Sequence, residues 1–256
     1  MCMNTHSPRY LILSVVVSFG LVAASCGDDK PNVTARFTTP APGASIAGGV
    51  AFTLAAEGVT IEPAGDVHEA AGHFHVIADA GCVMTGEAIP KDPDHLHLGS
   101  GAAEGTIYLT PGTHVLCVQV GDGVHTATDA TSTVSVNVGI TDREGWCTVV
   151  GQVDQMLNSE SGEGDFAAQK AFFGNVGRLL TQLRSGAEHV DAAERDNVAA
   201  ALDFVQMFVD VIANAEDQAE AEANAAPIWE LGEDPAAAAQ PWILEECGVD
   251  IGDENG

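Results

Sequence analysis

Basic side chains are scarce in this sequence. Only 9 lysine and arginine residues stand against 37 aspartate and glutamate residues, which gives a formal net charge of −28 at pH 7. Such a surface repels phosphate backbones and anionic lipid headgroups. The charge therefore argues against nucleic-acid binding and against electrostatic docking to membranes, and it indicates a strongly solvated, acidic surface.

Several sequence motifs of catalysis and metal binding are also missing. The chain has no Gly-x-Ser-x-Gly motif of an activated serine and no Cys-x-x-Cys pair of a zinc site. Beyond the N-terminal region the only methionines are Met84, Met156 and Met207. Because Cu(I) prefers clustered thioethers and thiolates, this composition argues against a Cu(I) carrier.

Residues 1–25 have the pattern of a secretory signal peptide. Arg9 provides a basic start, and the apolar run from Tyr10 to Ala24 is too short for a comfortable membrane span. The run leads into Ala23-Ala24-Ser25-Cys26, which resembles the lipobox of bacterial lipoproteins. We therefore predict that Cys26 is lipidated, with plain secretion as the alternative.

A lipidated Cys26 would become the mature N-terminus and would hold the protein on the membrane through covalent lipid. Residues 26–32 would then form a flexible tether. The predicted location is extracytoplasmic, lipid-anchored to the cell membrane of a bacterial envelope. The membrane is a predicted partner through this anchor alone.

Four cysteines remain once Cys2 leaves with the signal peptide and Cys26 carries lipid. They are Cys82, Cys117, Cys147 and Cys247. An even number in an oxidising compartment predicts two disulfide bonds, for which three connectivities are possible. We favour Cys82 with Cys117 and Cys147 with Cys247, since each pair then lies within one of the two halves described next.

Residues 33–140 have the period-two pattern of β-strands. The clearest alternating sets are Val50, Phe52 and Leu54; Leu116, Val118 and Val120; and Val134, Val136 and Val138. Pro-Gly, Gly-Gly and Gly-Asp-Gly sequences separate the runs. Roughly seven or eight short strands of this kind predict an Ig-like antiparallel β-sandwich, although the central tryptophan of antibody domains is absent.

Six of the nine histidines lie between Gly72 and His125. Strand alternation places His73 with His75, and His95 with His97, each on the face opposite apolar neighbours, so we expect both pairs to point away from the core. Residues two apart on a strand have Cα atoms about 6.5 Å apart, close enough for both rings to reach one ion. If the two strands are neighbours, the four rings predict a site for Zn(II) or Cu(II). The alternative is that these histidines only form structural hydrogen bonds.

Four further residues are weaker candidates for the same site: His114, His125, Glu104 and Asp79. Each of the two histidines follows a tight turn, where we expect it to hydrogen-bond the loop rather than a metal. The two carboxylates could be ligands, or acceptors that hold an imidazole in one tautomer.

The order of these residues resembles the bacterial domain of unknown function 4399. The matching anchors are Gly72-His73-x-His75, Asp79, His97-x-Gly99-x-Gly101-x-x-Glu104, Leu109-x-Pro111-Gly112-x-His114-x-Leu116 and Asp122-x-x-His125. The resemblance covers residues 33–139 and implies the sandwich fold and a secreted or envelope-bound location, without implying a reaction. Ala102-Ala103 departs from the Gln-Thr that family members often carry.

Residues 141–256 have helical periodicity instead. After Asp165, apolar residues recur at helical intervals, and Ser185-Gly186 has the pattern of a helix stop. A first helix near Thr148 to Leu157 and a last one near Pro241 to Cys247 bring the expected number to four or five. We predict an α+β chain of two domains, in which residues 33–140 form the sandwich and residues 141–256 form a small, disulfide-stapled helical bundle.

The function predicted from these features is that of a non-enzymatic binding module. The most specific version of this prediction is a module that binds a divalent metal ion. A structural or protein-interaction module whose histidines only hold loops is the second interpretation. An extracellular metalloenzyme is the third. The helical half resembles no family that we can name, and we expect it to act as a spacer or to bind a protein partner.

Overall fold

The computed structural model describes residues 33–92, 94–159, 165–230 and 236–251. The predicted signal peptide, the predicted lipidation site Cys26 and the predicted tether lie outside the described residues. Within the described residues, no helix has both the length and the apolar character needed to cross a membrane.

Strands fill the first half of the described chain and helices fill the second, with the change near residue 140. The strands are β1 (Thr34–Thr39), β2 (Ala44–Ile46), β3 (Val50–Glu57), β4 (Thr60–Ile61), β5 (Ala71–Ala78), β6 (His95–His97), β7 (Glu104–Ile107), β8 (Gly112–Gly121) and β9 (Ala127–Val138). The helices are α1 (Arg143–Leu157), α2 (Phe166–Ser185), α3 (Arg195–Asn214), α4 (Gln218–Trp229) and α5 (Ala236–Cys247). The predicted α+β class is therefore confirmed.

The strands form two sheets. One has three strands in the order β1-β3-β7, paired antiparallel. The other has the order β2-β9-β8-β5-β4, with β6 also paired to β5. Its pairings are antiparallel except for β2 with β9 and β4 with β5, which are parallel. The prediction of a purely antiparallel fold is thus wrong at these two short strands.

Both sheets contribute side chains to one core. Phe52 and Leu54 of the smaller sheet and Phe74, Val118 and Val136 of the larger sheet belong to the same buried cluster. These residues stand at every second position of their strands, because successive side chains of a strand point to opposite faces. The alternation seen in the sequence therefore marks the core-facing side correctly.

The helices begin and end mostly as their sequences indicate. The carboxylate of Asp165 accepts the backbone N–H of Ala168 and caps α2, which ends at Ser185 before Gly186. Helix α1 begins at Arg143, five residues earlier than predicted, because Asp142 caps it by accepting the N–H of Gly145. This extra turn places Trp146 in the buried core of the helical half.

The two halves are in direct contact. The amide of Gln182 in α2 accepts the N–H of Gly48 and donates to the carbonyl oxygens of Gly48 and Leu109, at 2.8, 3.2 and 2.9 Å. Ala47 and Tyr108 of the β half pack against the helical core. The described residues belong to one compact unit, so the division into two domains stays a prediction.

Candidate metal centre

The two His-x-His strands are neighbours. Strand β5 pairs antiparallel with β6, and the register places His75 opposite His97 and Ile77 opposite His95. On its other edge β5 pairs with β8, where His73 lies opposite Gly121. The adjacency on which the predicted site depends is therefore present.

Four histidines converge at this place: His73, His75, His97 and His125. Each offers one ring nitrogen, and these four atoms all lie within 4.8 Å of one another. The Nε2 atoms of His73 and His75 are 3.0 Å apart, and those of His97 and His125 are 3.1 Å apart. No carboxylate or cysteine belongs to this group among the described residues.

These separations are close to those of a metal complex. Four nitrogens around a tetrahedral zinc ion, each at about 2.0–2.1 Å from it, lie about 3.3 Å from one another. The two Nε2 pairs, at 3.0 and 3.1 Å, are already close to two edges of such a tetrahedron. Contraction of the remaining separations, by at most about 1.5 Å, would complete it. His97 and His125 can supply that movement because they are less buried than the other two.

His73 and His75 lie on the sheet face opposite the main core, as predicted, but they are not exposed to solvent. Their exposed fractions are 0% and 2%. Burial, followed by repulsion from the neighbouring imidazoles, lowers the pKa of His73 to about 4 and that of His75 to about 3. Both rings are therefore neutral at pH 7, which is the form that binds metal ions.

The buried pair is poorly satisfied by hydrogen bonds. The Nδ1 atoms of His73 and His75 are buried and have no hydrogen-bond partner among the described residues. A buried polar atom in this condition costs about 1–3 kcal/mol, and such atoms are rare in proteins. A purely stabilising role for these two histidines is therefore unfavourable.

Glycines make room for the rings. A Cβ atom on Gly99 would lie 2.2 Å from Cε1 of His97, and one on Gly121 would lie 3.0 Å from Nε2 of His75. Larger residues at either position would displace an imidazole of the cluster.

Residues 50–139 match the family described as a domain of unknown function, DUF4399. This match agrees with the resemblance predicted from the motif order, and it does not extend into the helical half. No curated protein matches the chain. All four clustered histidines lie within the DUF4399 segment.

His125 joins the cluster, although its sequence context predicted a loop-holding role. Its backbone is left-handed, with φ of +71°, and the carboxylate of Asp122 accepts the N–H groups of Val124 and Thr126 on either side. The connection between β8 and β9 thereby lies beside β5, where Gly121 pairs with His73. The one signal in the sequence was the Gly-Asp-Gly turn, which places His125 at the end of a hairpin.

His95 takes a different partner from the one predicted. Its Nδ1 donates to Oδ1 of Asp92 at 2.6 Å, and it does not belong to the cluster of four. The register explains this placement, because His95 lies opposite Ile77, two residues farther from the end of β5 that holds His73. The group of four therefore contains His125, and His95 lies outside it.

The remaining candidates lie away from the cluster. His114 donates from Nδ1 to Asp79 at 2.7 Å, and its Nε2 lies 2.8 Å from the carbonyl oxygen of Thr110. Burial alone would raise the pKa of Asp79, but hydrogen bonds from His114 and from the N–H of Val115 lower it below its ordinary value. Glu104 is exposed on β7, in the other sheet.

Both predicted disulfides are present. Cys82 is bonded to Cys117, which lies on β8 beside β5. Cys147 of α1 is bonded to Cys247 at the end of α5. The first bridge ties the loop after β5 to the sheet that carries the histidine cluster, and the second joins the first and last described helices.

Proposed function

We propose that this protein is a non-enzymatic binding module of the cell envelope that holds one divalent metal ion, Zn(II) or Cu(II). Its ligands would be His73, His75, His97 and His125. The observation that carries the proposal is the convergence of their four ring nitrogens within 4.8 Å.

The chemistry of the cluster supports this choice of ions. Imidazole nitrogens suit Zn(II) and Cu(II), whereas Mg(II) and Ca(II) prefer oxygen ligands. The lowered pKa values of His73 and His75 keep both rings neutral, so an ion entering the site does not have to displace protons from them.

The location in the envelope is also part of the proposal. Two disulfide bonds are typical of proteins in oxidising compartments. With the signal-like N-terminus, they support export and a lipid anchor at Cys26. The helical half, outside the DUF4399 match, is proposed to face a protein partner.

For the fold, we propose an Ig-like sandwich followed by a separate helical domain. Two sheets over one core support the first part. The separate helical domain would be tested by measuring whether the β half, residues 33–140, unfolds cooperatively when it is produced alone.

A structural or interaction module without metal is the second candidate. His68, His95 and His114 each contact a carboxylate, of Glu62, Asp92 and Asp79 respectively. These three histidines behave as loop-holding residues. The unsatisfied Nδ1 atoms of His73 and His75 distinguish the cluster from them.

Metal counting after equilibrium dialysis tests the proposal. We expect the full chain, dialysed against Zn(II) or Cu(II), to retain one ion per molecule. His73→Ala combined with His97→Ala should abolish retention. His95→Ala is the matched control, since it removes a histidine from the same strand as His97 but from outside the cluster, and it should retain one ion. Negligible metal in the unmodified protein would reject the metal site and leave the interaction module.

A further inference from the structure

An open cleft of about 810 Å³ lies between the β half and helix α2. Residues 91, 92 and 94–97 line one side, and Ala167, Lys170, Ala171, Gly174 and Arg178 line the other. The α2 residues are spaced three and four apart, which places them on one face of the helix. Alanine and glycine on that face leave the space that forms the cleft. His97 lines it too, so the cleft adjoins the proposed metal centre.

The cleft concentrates the few cations of the chain. Lys91, Lys170 and Arg178 line it, which is three of only nine lysine and arginine residues. Lys170 lies over the ring of Phe166, and Arg178 donates to the side-chain oxygen of Asn175 at 3.1 Å.

These three cations have no carboxylate partner in the described structure. In the part of the chain that the structure describes, none of the three makes an ion pair with a carboxylate. Three arginines elsewhere do form such pairs, namely Arg36, Arg143 and Arg184, whereas Arg195 donates to backbone carbonyl oxygens. In a chain with net charge −28, three basic side chains without a carboxylate partner among the described residues therefore line one cleft.

The carboxylates of the cleft lie on its sheet side. Asp79 and Asp92 accept hydrogen bonds from His114 and His95, and Asp94 follows in the same segment. Among the α2 residues that line the cleft, the charged ones are Lys170 and Arg178, and both are cations. An anion bound against α2 would therefore meet Lys170 and Arg178 without a neighbouring carboxylate on that helix face.

We propose that this cleft binds a small organic anion with carboxylate groups. Its volume is within the range of about 300–1,000 Å³ that is usual for small-molecule sites. Apolar side chains, among them Leu96, Ile107 and Ala171, would contact a carbon skeleton. Lys170 and Arg178 are eight residues apart, about 12 Å along the helix axis. This spacing fits the two ends of a linear dicarboxylate.

Calorimetric titration with suberate, an eight-carbon dicarboxylate, tests the proposal on the chelator-treated full chain at low salt. We expect saturable binding that weakens about ten-fold in Lys170→Gln and in Arg178→Gln, since each loses a charge-assisted contact. Arg184→Gln is the matched control on the same helix, because Arg184 pairs with Asp203 and does not line the cleft. Its affinity should stay within about two-fold of the unmodified protein.

Octane-1,8-diol, the neutral analogue, should not bind at the same concentrations. Equal binding of the diol would show an apolar groove and overturn the proposal. So would an equal loss of affinity in Arg184→Gln, or no saturable binding at all. Suberate binding that requires added Zn(II) would assign the anion to the metal instead, which also overturns the proposal while leaving the metal centre intact.

Discussion

The histidines of this chain divide by what surrounds each ring. His68 is exposed, and a hydrogen bond from its Nδ1 to Glu62 raises its pKa. His73 and His75 are enclosed by other imidazoles and by burial, which lowers their pKa values to about 4 and about 3. The same residue type therefore favours the charged form at one site and the neutral form at the other.

Acid should destabilise the metal-free protein through the buried pair. Between pH 6.5 and the lowered pKa values, the unfolded chain binds protons that folded His73 and His75 do not bind. Stability should therefore fall as the pH is lowered from 7 to 4, by on the order of 3 kcal/mol from each of the two groups. Urea unfolding in the presence of a chelator measures this loss.

The double variant His73→Leu, His75→Leu separates this contribution from that of the acidic residues. It should lose much less stability over the same pH interval. An identical pH dependence in both proteins would contradict the assigned cause.

At the scale of elements, helix α2 joins the helical half to the sheets through one buried amide. Gln182 is fully buried, and its side chain satisfies backbone groups of Gly48 and Leu109. Both residues lie beside strands of the smaller sheet, so these hydrogen bonds fix where α2 docks. The cleft lies along the same helix, toward its N-terminal end.

Gln182→Met should weaken the protein by about 3 kcal/mol, because it leaves buried backbone groups without partners. Gln206→Met is the control, since that amide donates an exposed hydrogen bond to Asp210 one turn farther along α3, and it should change stability by no more than about 0.5 kcal/mol. Urea denaturation followed by circular dichroism compares the two. Equal losses would show that the docking contact is unimportant.

Most elements could be predicted because their signals are local. Alternation identified the strand containing Phe52, and the cap at Asp165 with the stop at Gly186 identified α2. The parallel pairings of β2 and β4 could not be predicted, since both strands are too short to carry a periodic pattern. The start of α1 was missed because its first turn depends on the Asp142 cap.

At the scale of the whole molecule, charge is the dominant feature. A net charge of −28 spread over one chain opposes compaction through self-repulsion. Two disulfide bonds, which close segments with sequence separations of 35 and 100 residues, oppose unfolding by restricting the unfolded chain.

Salt should therefore stabilise this protein. Raising NaCl from about 0.01 M to about 1 M shortens the screening length from about 30 Å to about 3 Å. We expect the melting temperature to rise by about 5 °C over this range as the repulsion is screened. Calorimetry in a chelating buffer measures the change, and KCl should give the same curve. A melting temperature that is constant or falls with salt would show that self-repulsion is not a significant cost.

The sequence by itself determined the α+β class and the division of strands and helices near residue 140. It favoured the two disulfide pairings among three possible ones, and the structure decided for them. These features depend on the periodicity of apolar residues and on the number and spacing of cysteines, which can be read directly from the sequence. It also placed His73 and His75 on the face opposite the main core. Only the tertiary structure decided that His125 and not His95 completes the group of four, because that choice depends on the register of β5 with β6 and on where the hairpin after β8 ends. The cleft likewise arises only where α2 docks beside residues 91, 92 and 94–97, which are far from α2 in the chain.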